Sequence, residues 1–284
     1  MNVVLGGGIT GLLLAQNLKD VLVIENQPKL GGVFSYDEIL DFKVPFHPPL
    51  LHSSCAPFNV KEVRLRIFSK KENYLLKKLN IQELPPWLFF KEKMYYVDNL
   101  IDIIDTLSKK VRVFHSNIRK INEENIITSK GIIKANKIFV TISKKFILES
   151  LGKKSNLKSI SIAEIVAVIP KRDIGWDVYI NGDNGVSFSH VINAYWLSEL
   201  YNVLYVIIPF SGSLPIWDKI FSDLKREKIL TKDEIIGLRS RIVRDAILIG
   251  DEENNLPERF KLCGRLGKWK NLTLCETVQD IHNC

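Results

Sequence analysis

The sequence has few of the residues that mark metal and disulfide proteins. It contains two methionines and four cysteines in 284 residues, and no two cysteines have the C-x-x-C spacing of a metal or redox site. No cluster of metal ligands and no serine or cysteine nucleophile motif is present. We therefore expect no bound metal, and free thiols at all four positions, Cys55, Cys263, Cys275 and Cys284.

Long apolar runs are also absent. The longest, such as VLYVIIPF at 203–210, fall well short of the roughly 18 residues that a transmembrane helix needs. Asn2 leads directly into a strand pattern, without the basic leader of a secretory signal. We therefore expect a cytoplasmic protein with no transmembrane segment.

The composition that remains is typical of a soluble globular protein with a substantial core. Hydrophobic residues make up 46% and charged residues 25%, enough for one large domain or two interlocked ones. The net charge is +8, but lysine and arginine are interleaved with acids along the chain. This pattern favours a solvated surface and a site for an anionic small molecule, and it argues against nucleic acid as a partner. The abundance of Ile, Lys and Glu is typical of a thermophile protein.

The first 25 residues carry a glycine-rich turn between two apolar strands. NVVL predicts a strand, GGGITG a turn, LLLAQNLK a helix and VLVIE a second strand. Gly6 permits a tight turn, Gly8 lets backbone approach a pyrophosphate, and Gly11 lets the helix pack closely on the strand. Glu25 ends the second strand, where an acid can accept hydrogen bonds from an adenosine ribose. The stretch therefore predicts dinucleotide binding, although an αβ unit that keeps its glycines only for packing is the alternative.

A second glycine pair follows the acid and bears on the choice of dinucleotide. Gly31 and Gly32 lie in NQPKLGGVFSY, where a nicotinamide dehydrogenase would continue into another helix and strand. Gly-Gly is also common turn chemistry. The doublet resembles the second signature of the FAD-dependent amine oxidase superfamily, in which it lines the pyrophosphate. We therefore expect FAD as the cofactor.

The carboxyl-terminal segment carries the most specific resemblance. ERFKLCGRLGKWKNLTLC runs from a short strand through Gly264 and Arg265 to a helix beginning near Thr273 and Leu274. It resembles the flavin motif of the protoporphyrinogen oxidase and UDP-galactopyranose mutase branch of that superfamily, of which this chain would be a short member. In that branch the amino terminus of the helix faces the flavin. A structural ion pair is the alternative role for Arg265.

The resemblance implies a fold and a domain organisation. The expected fold class is α/β, with a Rossmann-like FAD-binding domain of the GR2 type and an inserted mixed α+β substrate domain built on an antiparallel sheet. The FAD-binding domain would comprise residues 1–40, 97–150 and 240–284, and the substrate domain residues 41–96 and 151–239. A one-sided apolar pattern predicts a helix within 97–110, and TKDEIIGLRSRIV at 231–243 is also interpreted as helical.

The resemblance also implies the cofactor site. One set of residues comes from the amino-terminal turn, the acid, the glycine doublet and a main-chain contact to adenine: Gly6, Gly8, Ile9, Thr10, Gly11, Glu25, Asn26, Gly31, Gly32, Val33 and Ile118. The other set comes from the carboxyl terminus: Gly264, Arg265, Thr273 and Leu274.

The substrate side gives weaker sequence signals. KVPFHPPLLHS contains His47 and His52 where the mutases carry a histidine loop near the flavin. A histidine there can move a proton or steer an anion, or it can simply be hydrogen-bonded within a loop. We take His47 and Arg265 as catalytic candidates. Tyr179 and Tyr195 join the two histidines as candidate substrate-pocket residues.

Three functions follow from these predictions. The first is an FAD-dependent oxidoreductase of the amine oxidase or protoporphyrinogen oxidase type, acting on a small molecule. The second is a redox-neutral enzyme of the UDP-galactopyranose mutase type, which would need basic residues and tyrosines gripping a diphosphate. The third is a non-catalytic FAD-binding subunit of a larger complex. The substrate, the electron acceptor and the oligomeric state are left open by the sequence.

Overall fold

A computed structural model describes residues 1–252 and 256–284. The described residues form nineteen strands and seven α-helices. In chain order the strands are β1 (Asn2–Leu5), β2 (Val21–Glu25), β3 (Tyr36–Ile39), β4 (Phe42–Pro45), β5 (Leu50–Leu51), β6 (Val60–Arg64), β7 (Ile67–Lys70), β8 (Lys93–Val97), β9 (Val113–His115), β10 (Ile118–Ile121), β11 (Asn125–Thr128), β12 (Gly131–Lys134), β13 (Lys137–Val140), β14 (Lys158–Pro170), β15 (Val178–Asn181), β16 (His190–Asn193), β17 (Tyr201–Phe210), β18 (Gly237–Ile249) and β19 (Phe260–Leu262). The helices are α1 (Ile9–Gln16), α2 (Leu75–Leu79), α3 (Leu100–Lys109), α4 (Lys144–Ser150), α5 (Trp217–Arg226), α6 (Gly264–Lys268) and α7 (Leu274–Ile281). Short 3-10 turns cover Gly32–Phe34, Glu72–Tyr74, Pro86–Leu88, Tyr195–Leu197 and Lys232–Glu234.

A five-stranded parallel sheet forms the first half of the molecule. Its order is β19-β13-β1-β2-β9, and every neighbouring pair is parallel. The strands read as short apolar runs because helices cover the sheet, and α1 packs against both α3 and α7. All five strands end at one edge, where ligands of open α/β sheets usually bind.

A six-stranded mixed sheet forms the second half. Its order is β18-β14-β17-β16-β15-β7, antiparallel except for the edge pair of β15 and β7. Side chains alternate between its two faces, so Ile165 and Ala167 pack on the side of α5, while Ile162 and Val166 pack against the segment before α3. Three small sheets, β10-β11-β12, β3-β4 and β5-β8-β6, complete the fold.

Two sequence predictions are wrong. The segment 231–243 is a 3-10 turn followed by β18, not a helix, because β18 pairs with β14 over most of its length. Cys55 and Cys275 form a disulfide between residues 220 positions apart, whereas Cys263 and Cys284 are free. Both the strand and the disulfide depend on contacts between residues that are far apart in the sequence. The local sequence pattern does not predict such contacts.

Other predictions concern helices and the layout of the chain. The helix expected within 97–110 is confirmed as α3. No helix among the described residues is long and apolar enough to cross a bilayer. The predicted domain boundary at residue 240 falls inside β18, and β7 brings a strand from 41–96 to the edge of the mixed sheet. Residues 253–255 of the third predicted FAD-binding segment lie outside the described residues.

Candidate active site

The glycine-rich turn connects β1 to α1 at the carboxyl edge of the parallel sheet. A Cβ atom placed on Gly11 would lie 2.0 Å from the carbonyl oxygen of Gly6, so the helix approaches the turn more closely than any side chain allows. The first N–H groups of α1, at Ile9 and Thr10, have no carbonyl partner within the helix. The turn therefore presents unpaired backbone donors at the positive end of a helix, a favourable place for a phosphate.

Glu25 closes β2 beside this turn. Its carboxylate accepts hydrogen bonds from the N–H of Gly7 and the N–H of Gln27, both at 2.7 Å. It lines a cavity with Gly6, Asn26 and Ile118, which were all predicted as cofactor-binding residues, Ile118 as a contact to the adenine. Two backbone donors thus orient the carboxylate on the wall of this cavity, which we call the outer cavity.

The glycine doublet packs directly on the turn. The N–H of Gly31 donates to the carbonyl of Gly7 at 2.8 Å, and Gly31 forms a parallel bridge with Gly8. A Cβ atom on Gly32 would lie 3.0 Å from the Cα atom of Gly8. The two glycine loops therefore form one narrow backbone cradle between the outer cavity and a second cavity.

The second cavity, which we call the main cavity, is lined by residues from both ends of the chain. The amino-terminal contribution is Gly8, Ile9, Thr10, Gly31, Gly32, Val33 and Phe34, and the carboxyl-terminal one is Arg265, Leu266, Leu272, Thr273, Leu274, Cys275 and Thr277. Predicted residues Gly11 and Gly264 do not line it but allow close packing, since a Cβ on Gly264 would lie 2.5 Å from Thr10.

The helix α7 brings its amino terminus to the main cavity. Thr273 caps it through a reciprocal pair of hydrogen bonds with Glu276, the capping box. The preceding helix, α6, sits against β13 because Gly267 has no side chain, and a Cβ there would lie 2.0 Å from the carbonyl oxygen of Val140. The N-terminal turn of α7 thus reaches the same cavity as the N-terminal turn of α1.

Arg265 contributes a positive charge to the main cavity. Its Nη1 donates to the main-chain carbonyls of Asp245 and Ala246 at 3.1 and 2.8 Å, and no described carboxylate forms an ion pair with it. Burial lowers its pKa to about 10, so the guanidinium stays charged at neutral pH. The structural ion pair considered as the alternative role for Arg265 is absent from the described residues, and its charge is available to an anion in the cavity.

The opposite wall of the main cavity comes from the mixed sheet and the segment between β4 and β8. Glu164 on β14 is 4% exposed and accepts a hydrogen bond from Nδ1 of His47 at 2.5 Å. Arg241 on β18 donates to the same carboxylate through Nε at 2.8 Å and Nη2 at 2.6 Å. We call these three residues the buried triad.

The protonation of Glu164 follows from its neighbours. Burial alone would raise the pKa of this carboxyl group, but the charges of Arg241 and of a protonated His47, and the hydrogen bonds from both residues, outweigh burial, and the pKa lies below its ordinary value. Glu164 is therefore a carboxylate at neutral pH, and a carboxylate can only accept hydrogen bonds.

Aromatic side chains surround His47. Phe34 and Trp87 meet its ring edge-on, with ring centroids at 5.9 and 5.8 Å. Two polar atoms of cavity-lining residues are buried without a hydrogen-bond partner among the described residues, Nε1 of Trp87 and Nδ1 of His52. Both atoms have almost no accessible surface, so neither faces the open space of the main cavity.

The predicted tyrosines lie away from both cavities. Tyr179 packs on the α5 face of the mixed sheet, opposite the face that bears Glu164, and its hydroxyl donates to Glu227 at 2.8 Å. Tyr195 lies in the connection between β16 and β17, where its carbonyl accepts from Lys171. Strand alternation explains the position of Tyr179, because one residue of shift moves a side chain to the other face.

Sequence reasoning missed three residues of this wall. Glu164 had a signal, since it is the only charged residue between Ile160 and Ile169 and a charge in a buried strand needs a partner. Arg241 and Trp87 had none, because they reach the site only through the pairing of β18 with β14 and the path of the chain before β8.

Comparison with known proteins shows what the fold resembles. No protein-family model matches the chain, and no curated protein matches it at a significant level. Reduced UDP-galactopyranose mutase is 11% identical, with a TM-score of 0.71 over 99% of this chain and 92% of that one. A protein described as a protoporphyrinogen oxidase from Exiguobacterium sp. 255-15 is 11% identical, with a TM-score of 0.66 over 99% and 98%. Wild-type putrescine oxidase bound to putrescine is 10% identical, with a TM-score of 0.63 over 98% and 97%.

These matches show the fold. The chain, with its parallel sheet joined to a mixed antiparallel sheet, has the α/β fold of these three proteins, and it spans nearly the whole of each matched chain. The predicted fold class is therefore confirmed, as is the resemblance at the level of fold.

Proposed function

We propose that this chain binds FAD across the outer and main cavities and is an FAD-dependent oxidoreductase of a small molecule. One observation carries the proposal: residues at the two ends of the chain, from Gly8–Thr10 and from Arg265–Cys275, line a single cavity. Packing alone would not require a backbone cradle, two helix amino termini and a guanidinium with no carboxylate partner among the described residues to meet at one place.

The residues present fit FAD. The close approach of Gly8 and Gly32 leaves bare backbone for a pyrophosphate, and the amino terminus of α1 supplies donors there. Glu25 is available to the adenosine ribose in the outer cavity. Arg265 and the amino terminus of α7 would favour negative charge on the ring system.

When bound, FAD supplies two-electron redox chemistry. The chain's own residues bind and orient the substrate against the cofactor and exclude water from the main cavity. Phe34, Trp87 and Ile162 provide apolar walls, while His47 provides a side chain that can accept a proton.

Of the three functions predicted, the cavity favours the oxidoreductase over the mutase. A mutase-like site would need several basic residues and tyrosines around a diphosphate. The described lining of the main cavity contains one such basic residue, Arg265, and no tyrosine. We also propose the domain division given above, with 1–40, 97–150 and 240–284 as the FAD-binding domain and 41–96 and 151–239 as the substrate domain.

The test is the absorption spectrum of the purified protein. We expect a yellow protein with flavin absorbance, or a colourless one that binds added FAD more tightly than NAD. Anaerobic bleaching by a panel of small molecules then separates an oxidoreductase from a non-catalytic FAD-binding subunit, and re-oxidation by oxygen or quinone identifies the acceptor. A colourless protein that prefers NAD would overturn the proposal.

A further inference from the structure

We propose that Glu164 is a positioning residue that holds His47 as the proton acceptor of the main cavity. The substrate would be an uncharged molecule that loses an O–H or N–H proton as its neighbouring C–H is oxidised. This inference rests on the proposed function and names the substrate class of the same site. It is carried by the buried triad and by the charge of the cavity lining.

The hydrogen bond between His47 and Glu164 sets the tautomer of the ring. Because the carboxylate only accepts, Nδ1 of His47 must carry the hydrogen, over a distance of 2.5 Å. In the neutral ring, Nε2 of His47 then has a lone pair and no partner among the described residues, on a side chain that lines the main cavity. The neutral ring is thus arranged as a base toward the cavity, and the carboxylate behind it stabilises the imidazolium that forms.

Arg241 makes this arrangement rigid. Besides its two hydrogen bonds to Glu164, it donates to the carbonyls of Gly32 and Val33, at 3.2 and 2.5 Å. The guanidinium also lies over the ring of Phe46, 4.9 Å from its centroid, next to His47 in the chain. Arg241 therefore contacts two loops, the one predicted to hold the cofactor and the one that carries His47.

The charge of the main cavity limits the substrate. The only carboxylate on its described lining is Glu164, which already has two partners. A protonated amine would therefore find no counterion on that lining, and its buried charge would stay unpaired. An uncharged ligand avoids this cost.

The step balances as follows. The O–H or N–H bond of the substrate breaks, and its electron pair forms the second bond to carbon. The proton forms a new N–H bond at Nε2 of His47, and Glu164 remains ionised. The hydrogen on the neighbouring carbon leaves with its electron pair to the two-electron acceptor named in the proposed function, oxidised FAD.

The first experiment needs no cofactor. Histidine-selective 15N labelling gives the ring tautomer of each of the five histidines by NMR, and a His47→Gln variant identifies the His47 signals. We expect neutral wild-type His47 to carry its hydrogen on Nδ1. Glu164→Leu should shift it toward the Nε2–H form, whereas Glu164→Gln, whose amide oxygen still accepts, should keep it on Nδ1. An Nε2–H tautomer in the wild type would overturn the inference even if Glu164→Leu does not fold.

The second experiment uses FAD-loaded protein and anaerobic bleaching. Uncharged alcohols and N–H compounds should reduce the cofactor, and aliphatic amines should do so only at pH values where they are neutral. Glu164→Gln should lower the reduction rate on the order of 100-fold while leaving FAD affinity unchanged, and the exposed control Glu199→Gln should leave both unchanged. Faster reduction by protonated amines, or full activity of Glu164→Gln, would overturn the inference. Absence of FAD binding would instead overturn the proposed function, and the tautomer would still be measured.

Discussion

The two halves of the molecule contribute to the site in different ways. The parallel-sheet half contributes mainly backbone: the glycine turn, the glycine doublet and the first turns of α1 and α7. The mixed-sheet half contributes side chains whose charges are buried, as in the pairing of Glu164 with Arg241 and His47. Backbone sites depend on close approach, whereas side-chain sites depend on electrostatic pairing, so the two halves should respond to different substitutions.

The largest effect is expected at the disulfide, which ties α7 to the segment between β5 and β6. The disulfide connects Cys55, before β6, to Cys275 in α7 across 220 residues. Chain-entropy arguments give a contribution of up to about 5 kcal/mol for a loop of that size. Replacing both cysteines by serine should therefore lower the free energy of unfolding, measured by denaturant titration, by up to that amount.

A thiol count provides the control for that prediction. The denatured, unreduced protein should contain two free thiols, from Cys263 and Cys284, and four after reduction. Cys284→Ser should lower each count by one and leave the effect of reduction on stability intact. Four thiols before reduction would show that Cys55 and Cys275 do not form a disulfide.

The next largest effect tests the side-chain half. Arg241→Met leaves the buried carboxylate of Glu164 without its strongest partner and should lower the free energy of unfolding by about 4 kcal/mol at pH 7. Arg244→Met, on the same strand but exposed, is the matched control. A further Glu164→Met substitution should recover part of the loss, because no unpaired buried charge then remains.

The pH dependence of the Arg241→Met effect has a definite sign. The pKa of Glu164 in the folded protein lies below its ordinary value of 4.5, so its ionised form stabilises the fold above that pH. This stability is lost as pH falls through the lower folded value. The difference in the free energy of unfolding between wild type and Arg241→Met, measured by urea titration, should therefore become smaller below about pH 4.5. A difference that grows toward acid pH would contradict the pairing.

A smaller effect tests the backbone half. Gly11→Ala places a Cβ atom 2.0 Å from the carbonyl oxygen of Gly6 and must displace α1 from the turn. We expect the free energy of FAD binding to become less favourable by about 3 kcal/mol, which corresponds to roughly 100-fold weaker binding. Gly185→Ala, whose Cβ would meet only Asp183 at 3.4 Å, is the control. Unchanged FAD affinity in a folded Gly11→Ala protein would argue against phosphate binding at the turn.

The smallest effect tests Arg265, the cationic side chain that the carboxyl-terminal segment brings to the main cavity. Arg265→Gln removes the unpaired charge from the main cavity and should weaken FAD binding by about 2 kcal/mol, or roughly thirtyfold. Arg244→Gln should have no measurable effect. Because the contact is electrostatic, the difference between the two variants in FAD titrations should shrink at high salt, and a salt-independent difference would favour a packing role.

The contrast between the halves also explains what sequence could predict. Gly6, Gly8 and Gly11 lie within six residues of one another. Their position next to Glu25 was therefore predictable from the local strand–turn–helix–strand pattern. The buried triad draws its members from residues 47, 164 and 241, which meet only through the pairing of β14 with β18 and the fold of the loop before β5. No local sequence pattern predicts that these three residues lie next to one another.

The misplaced tyrosine shows the same limit. Tyr179 was selected by residue type, but the face on which it lies depends on strand register, and register follows from pairing with β16 and β7. The disulfide is a further example, since the spacing of cysteines along the chain says nothing of which two are neighbours in space. Residue chemistry was predictable in these regions, and residue proximity was not.

The central claim is that the two ends of this chain hold one FAD molecule. A crystal structure of the protein grown with FAD tests it most directly. The account predicts one FAD per chain, with its pyrophosphate at the amino terminus of α1, its ribose beside Glu25 and its ring system against the amino terminus of α7. An FAD bound away from residues 264–276, or cavities that stay empty at saturating FAD, would contradict it.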